Sequence, residues 1–433
     1  MCALPATRST LGREGLGLKG LYRASWPILL IVILAGCGAT STPKPASIPT
    51  PKILPSPPTA TRGVTLMPVT PNPALQFETP TTGWRVVGQG ATAPTNTTPT
   101  ADLGLYWPGN AVETTTNGGS AWARSLSDPS GIWGLDFISS TTGWAVGTAN
   151  LYETTNGGQS WQLVGVPSPS LVAVDFLNAS IGYGITNAGA LEKSTDGGHV
   201  WQRSSFIQPV SSVCFTTAHV GYLATQLGGF IEATVNGGAS WALSFSLPFA
   251  LTSSGAVDTA LTCAGNSAWA MEDFGNAFGT ANTASYAVAR TLDGGATWTM
   301  VGNNVVGTSE GGPGQHIPLA MPTSILTTGP TSAALVGYSN SGHALEIAST
   351  SNGGSQFVTT SVPLPISVAA TAPAVGELAI YGLAWAAPTN AWILIGQASS
   401  SSSGMYNCAI LTSSDSGSSW STLSEQAEPV GSQ

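Results

Sequence analysis

Charge is what this sequence has least of. Only 8% of its 433 residues are Asp, Glu, Lys or Arg, 12 basic against 21 acidic. Together with 53 glycines and abundant Ser, Thr and Ala, this composition suits an exported, β-rich chain with many turns and argues against a cytosolic helical enzyme. Cysteine is scarce as well. Beyond Cys37 there are only Cys214, Cys263 and Cys408, far apart and odd in number, with no CxxC pair and no clustered histidine. At most one disulfide can form among them, and no zinc site is expected. The histidines, His199, His219, His316 and His343, are scattered singly and read as surface or turn residues. Nucleophile elbows, phosphate-cradling loops and dinucleotide fingerprints in a strand-turn-helix setting are missing, so no metal or cofactor is expected.

Long apolar runs are missing too, with one exception: "WPILLIVIL" at 26–34. It follows Arg8, Arg13, Lys19 and Arg23 and is too short to cross a bilayer as a mature helix, which takes about 20 residues. The arrangement is that of an export signal. Directly after it, "LAGC" at 34–37 resembles the bacterial lipobox, in which cleavage precedes a cysteine that then carries the lipid, here Cys37. Residues 1–36 are thus the signal peptide. Residues 37–73, containing "STPKPASIPTPKILPSPPTATRG", have no apolar periodicity and form an extended Pro/Thr-rich tether. Residues 1–36 hold four basic side chains and Glu14, so the mature chain keeps 8 basic and 20 acidic groups, net −12. Nucleic acid and anionic membrane surfaces are disfavoured as partners. Membrane attachment is expected through the lipid alone, on the outer face of the cytoplasmic membrane or in a periplasmic or outer-membrane setting.

What the rest of the chain has is a repeat. "TTNGGSAW", "TTNGGQSW", "STDGGHVW", "TVNGGASW", "TLDGGATW", "TSNGGSQF" and "SSDSGSSW" place Asn117, Asn156, Asp196, Asn236, Asp293, Asn352 and Asp415 in register, at spacings of 39, 40, 40, 57, 59 and 63 residues. Each is followed by Trp122, Trp161, Trp201, Trp241, Trp298, Phe357 or Trp420. A second element precedes each copy, for example "TTGWAVG" and "ASIGYGIT", with an aromatic at the equivalent place in six units and Ala in the sixth unit. A period of ~40 to 50 residues is that of one propeller blade. One unit reads as four short strands, "LVAVDF" (a), "IGYGIT" (b), "ALEKST" (c) and "VWQRSS" (d). The fold class expected is all-β: a seven-bladed propeller of four-stranded antiparallel blades over 74–423, with a tail at 424–433.

The repeated loop looks like a binding site but reads as a fold element. The Asn or Asp side chain can bond backbone amides of the turn between strands c and d, paired glycines permit positive φ, and the aromatic can wedge between neighbouring blades. Burying such a ring stabilises by roughly 2 to 3 kcal/mol. The pattern [ST]-x-[DN]-x-G-x-x-[WF] resembles the Asp-box or BNR repeat, and its pairing with "GWAVG" most closely resembles propellers of the photosystem II assembly and stability factor family. The resemblance covers 75–423 and is strongest in the second, third and fourth units. It implies a seven-bladed propeller that binds partner proteins during assembly of a membrane complex, without catalysis.

Asp-box propellers also include sialidases and endo-acting glucanases. A sialidase needs three arginines for a carboxylate, and the propeller has only Arg85, Arg124, Arg203 and Arg290, two of them at equivalent strand-d positions. Another glycosidase needs two carboxyls flanking one sugar, roughly 5 to 9.5 Å apart. Asp136 and Asp175 recur at one repeat position, and Glu113, Glu153, Glu192, Glu232 and Glu346 recur on strand c, which makes both sets structural. A catalytic pair would come from the unrepeated Asp102, Asp258, Glu272, Asp273, Glu310 and Glu377.

Insertions fall in one class of loop. The a-b and c-d turns keep nearly constant length, while b-c and d-a loops are expanded at 88–110, 272–285, 302–323, 361–377 and 396–405. Insertions on a single face usually mark the binding face. Its candidate residues are Tyr106, Trp107, Glu272, Asp273, Phe274, Phe278, Glu310, His316 and Tyr406. The expectation is a monomeric scaffold for an unknown protein or membrane complex; the rival is an extracellular carbohydrate-active propeller, glycan-binding or hydrolytic.

Overall fold

The computed structural model describes residues 72–88, 109–167, 170–226, 229–247, 258–273, 286–303, 317, 319, 321–338, 344–365, 378–386, 389–398 and 406–428. Among the described residues all regular structure is β, in six antiparallel sheets. Within each sheet every strand is hydrogen-bonded to its neighbours in sequence, so each sheet is a meander. The first sheet has seven strands: β1 (Leu75–Phe77), β2 (Gly83–Val87), β3 (Gly109–Thr115), β4 (Ala123–Phe137), β5 (Gly143–Gly147), β6 (Leu151–Thr154) and β7 (Gln162–Gly165). Five four-stranded sheets follow, over residues 171–203, 210–246, 258–303, 321–362 and 378–428.

The long first sheet differs from the separate strands expected of two units. β4 serves both: residues 123–127 pair with β3 as strand d of the first unit, and residues 132–137 pair with β5 as strand a of the second. Between them the Asp128 carboxylate accepts hydrogen bonds from the Ser130 amide and hydroxyl at 2.8 and 2.6 Å, Asn150 Nδ2 at 2.9 Å and the Tyr152 hydroxyl at 3.0 Å. That buried cluster takes the place of a loop.

Each repeated turn is built alike. In the second, Thr154 Oγ1 donates to Asn156 Oδ1 at 2.9 Å and accepts from Gly158 N at 2.9 Å, while Ser160 N donates to Asn156 Oδ1 at 2.9 Å. The polar side chains thus satisfy amides that a seven-residue turn would otherwise leave bare. Gly157 and Gly158 lie at φ 71° and 78°, where a side chain strains the backbone. The seventh copy holds Ser416 at the first of these places, at φ 61°. The box tryptophan comes just before strand d and is not its first residue, since β7 begins at Gln162.

Aromatic residues join one unit to the next. Trp84 of β2 stacks on Phe137 at 3.5 Å between centroids, and its Nε1 donates to the Gly157 carbonyl of the next turn at 2.9 Å. Trp161 meets the other side of Phe137 edge-on at 5.8 Å. The same trio recurs as Trp144, Phe176 and Trp201, with stacking at 3.6 Å and Trp144 Nε1 bound to the Gly197 carbonyl at 3.2 Å. Tyr183, Phe215 and Trp241 form a third, with the Tyr183 hydroxyl on the Gly237 carbonyl at 2.9 Å. Trp392 of the seventh unit stacks on Phe77 of the first at 3.8 Å and donates to the Gly118 carbonyl at 3.1 Å. Leu75 and Phe77 therefore share a core with Ala384, Ala386, Leu394 and Ile410.

The glycine of "GW" has a packing reason. A Cβ on Gly143 would lie 2.4 Å from the Phe137 ring, so the ring occupies the space a side chain would need.

These contacts give a stability prediction. Trp161→Ala should cost about 3 kcal/mol through lost burial of a large ring. Gly158→Val should cost a comparable amount, because its φ is positive and its Cβ would meet Trp84 Nε1 at 2.9 Å. Urea unfolding checks both; a midpoint unchanged in either variant would contradict the packing described.

Candidate functional site

The seven repeated turns offer no free chemistry. At Thr115 and Asn117, Ser194 and Asp196, Thr234 and Asn236, Thr291 and Asp293, Thr350 and Asn352, and Ser413 and Asp415, the hydroxyl donates to the amide or carboxylate oxygen at 2.8–3.0 Å, as at Thr154 and Asn156. Hydrogen bonds from Ser419 and Ser413 pull the Asp415 carboxyl down to about 2, which keeps it an acceptor.

A second repeated position carries more varied chemistry. At three junctions the amide of the strand-a phenylalanine is taken by a side chain of the preceding unit. Phe137 N is met by Gln76 Oε1 at 2.9 Å, Phe176 N by Asp136 Oδ2 at 2.7 Å and Phe215 N by Asp175 Oδ2 at 2.9 Å. Each acceptor sits one unit upstream. At the next junction the equivalent residue, Cys214, is disulfide-bonded to Cys263. At the one after, Thr262 Oγ1 accepts from Thr327 N at 3.2 Å. The two cysteines whose pairing the sequence left open therefore link the fourth unit to the fifth.

Two of these linkers are electrostatically unusual. Burial raises the Asp175 carboxyl to about 7. Burial, with the neighbouring Asp175 charge adding to it, holds Asp136 well above the usual carboxylate range. Raised carboxyls near one another are the usual mark of acid-base chemistry. Here each is committed to a main-chain amide, at a place that Gln76 fills with a neutral group.

The four arginines are held apart. Arg85 is buried against Glu113, Nη2 to Oε2 2.7 Å, and stacks over Trp122 at 4.6 Å. Arg124 lies 4.0 Å from the same glutamate. Arg203 pairs across strands with Glu192, and Arg290 donates to the Gly353 carbonyl. The first pair shares one carboxylate and the other two serve different units, so they do not converge as a carboxylate clamp.

Of the candidate face, Tyr106, Trp107, Phe274, Phe278, Glu310 and His316 lie outside the described residues, as do Cys37, Asp102 and Glu377. Glu272 and Asp273 are not in a loop: strand b of the fifth unit runs Ser267–Asp273, and Glu272 is 0% exposed. Tyr406 likewise opens a strand, Tyr406–Ser413, paired with Ala398 and Glu428. The strands of the fifth and seventh units are longer than in the short repeats, which converts part of each insertion into sheet. Among the described residues no cluster of His, Cys, Asp or Glu could hold a metal ion.

No family model and no curated protein matches the chain. Solved structures do. A GH74 xyloglucanase from Xanthomonas campestris is 12% identical over 84% of this chain and 55% of its own, with a TM-score of 0.51. A YCF48 bound to D1 peptide is 19% identical over 67% of this chain and 81% of its own, and the YCF48 of Cyanidioschyzon merolae is 18% identical over 67% and 84%; both have TM-scores of 0.43. The chain is a β-propeller at low identity to its neighbours. Those neighbours include both enzymes and YCF48, and fold does not decide between them.

The raised carboxyls set a pH dependence. Both hold protons in the folded chain that the unfolded chain, titrating near 4, has released. For Asp175 this contribution to stability is fully present below about pH 4 and is lost as pH rises through about 7; for Asp136, raised in the same direction, it is likewise lost as pH rises. Asp136→Asn with Asp175→Asn keeps the acceptor oxygens, as Gln76 does, without the charge. The gain in Tm over the parent should be small at pH 4 and largest at pH 7.5. A gain independent of pH would contradict this assignment.

Proposed function

We propose that the chain is an exported, lipid-anchored, seven-unit β-propeller that binds a protein through its expanded b-c and d-a loops, as a scaffold in assembling a membrane complex. It is not an enzyme in this reading. Two features support seven units: β4 belongs to two of them, and the seventh joins the first through the Trp392 and Phe77 contact that also joins successive units. The repeated turn is an Asp-box in a structural role, and the lipid on Cys37 supplies the attachment to the membrane.

One observation carries the non-enzymatic reading. The carboxyls perturbed towards neutrality on strand a, Asp136 and Asp175, each bind the amide of the next unit at 2.7 and 2.9 Å, and a neutral glutamine does the same work at the preceding junction. Glu272, an unrepeated acid, is fully enclosed and could not reach a polymeric substrate. Aromatic residues in the expanded loops suit capture of a protein, because buried aromatics dominate interface energies.

Capture from detergent-solubilised membranes of a producing cell, read by mass spectrometry and then as a Kd for the recovered protein, tests this. Trp107→Ala or Phe274→Ala should weaken it about 30-fold, corresponding to about 2 kcal/mol. Asp136→Asn should leave it unchanged. Turnover on a polysaccharide panel, abolished by changing Asp258, Asp273, Glu310 or Glu377 to its amide, would overturn the reading in favour of a glycosidase.

A further inference from the structure

The residues just before β1 bind units that are remote from them in sequence. Asn72 Nδ2 donates to the Val174 carbonyl at 2.7 Å, and Asn72 Oδ1 accepts from Val174 N at 2.7 Å, so one side chain closes a two-bond pair on strand a of the third unit. The Pro73 carbonyl accepts from Leu135 N at 3.1 Å, on strand a of the second unit. Ala74 N donates to the Tyr381 carbonyl at 3.2 Å, on strand a of the seventh, and the Ala74 carbonyl accepts from Val86 N at 2.8 Å. Three consecutive residues thus touch four units. Leu135 and Val174 lie two residues before Phe137 and Phe176, as Leu75 lies two before Phe77, so Asn72 and Pro73 meet strand a of the third and second units at one level, while Ala74 continues β1 alongside β2. Its proline offers no amide, and none is missed.

The surroundings are shaped for this course. The three atoms nearest to a Cβ placed on Gly134 all belong to Asn72, its carbonyl oxygen at 2.2 Å. A Cβ on Gly382 would meet Leu75 Cβ at 2.9 Å. Gln76 makes a similar two-bond pair, accepting from Phe137 N at 2.9 Å and donating to the Phe137 carbonyl at 2.7 Å, but it joins only neighbouring units. Among the described residues each sheet is made of consecutive strands, and the last runs over residues 378–428 with no strand from the N-terminal end. An array of sheets that exchange no strand relies on side-chain contacts at its joint, and backbone amides left at inner edges need acceptors.

We propose that residues 72–74 are a clasp that holds the first, second, third and seventh units together at their inner strand edges and makes the joint between the last and first units as firm as the others. The proposal rests on the seven-unit reading of the fold and not on any partner, so a failure of protein capture leaves it standing.

Hydrogen exchange followed by NMR in the full chain tests it. Asn72→Ala removes both bonds to Val174 while leaving every sheet residue in place. It should speed exchange tenfold or more at Val174 N–H and also at Ala74 N–H and Trp392 Nε1–H, which lie at the joint between the last and first units. Faster exchange at Val174 alone would make Asn72 a local cap and overturn the clasp. Gly134→Ala is the second arm. It should reproduce the effect of Asn72→Ala in the full chain and lower its Tm. In a chain beginning at residue 75 it should be harmless. If that shortened chain does not fold, the Asn72→Ala exchange pattern decides alone; if it folds and Gly134→Ala still lowers its Tm, the clasp is wrong.

Discussion

The stack of a strand-b aromatic on the strand-a phenylalanine of the next unit is the contact on which the rest depends. It occurs as Trp84 on Phe137, Trp144 on Phe176, Tyr183 on Phe215 and Trp392 on Phe77. A four-stranded sheet with two apolar faces is marginal alone, and stacking units buries both faces at once. The polar tip of each aromatic then binds a glycine carbonyl in the following turn. The turn must present that carbonyl in one orientation, which is why its hydroxyl, its Asn or Asp and its positive-φ glycines recur together. The apparent site is a socket for the neighbouring unit.

Where the stack weakens, other chemistry takes over. Tyr222 meets Trp298 edge-on at 5.7 Å, and Ser244 Oγ donates to the carbonyl of Gly295, the glycine after the one used in the other turns, at 3.1 Å. The Cys214–Cys263 disulfide strengthens that same junction. Between the fifth and sixth units Arg290 reaches the Gly353 carbonyl. The sixth unit has Ala334 in place of the aromatic and is joined to the seventh by an aliphatic core around Ile347, Ile393 and Leu411, with Trp420 against it. Gln76, Asp136, Asp175, Cys214 and Thr262 show the same substitution of means at the inner edge. One requirement, an occupied amide or a bridged gap, is met by an amide, a carboxyl, a disulfide or a hydroxyl.

Most of the architecture was legible because it repeats. Spacing gave the units, and the alternation of glycine and aromatic gave strand b. Asp136 and Asp175 were recognisable as structural from recurrence alone. Their partners were not, because Gln76, Cys214 and Thr262 share the place without sharing chemistry; aligning "LQF", "LDF", "VDF" and "VCF" would have exposed it. Asn72 was invisible, since a lone residue beside a Pro-rich segment carries no period. The ends of strands in the longer units were misjudged for a related reason: Glu272, Asp273 and Tyr406 extend strands beyond the length of the shorter repeats, where comparison between units gives no guide.

The central claim is that the last unit is joined to the first by the same interaction that joins sequence neighbours. A double-mutant cycle on Phe77→Leu and Trp392→Leu, measured beside one on Phe137→Leu and Trp84→Leu, tests it directly. The account predicts coupling energies of the same sign and similar size, about 0.5–1.5 kcal/mol as expected for an aromatic pair. Clear coupling for Trp84 and Phe137 with none for Phe77 and Trp392 would contradict it.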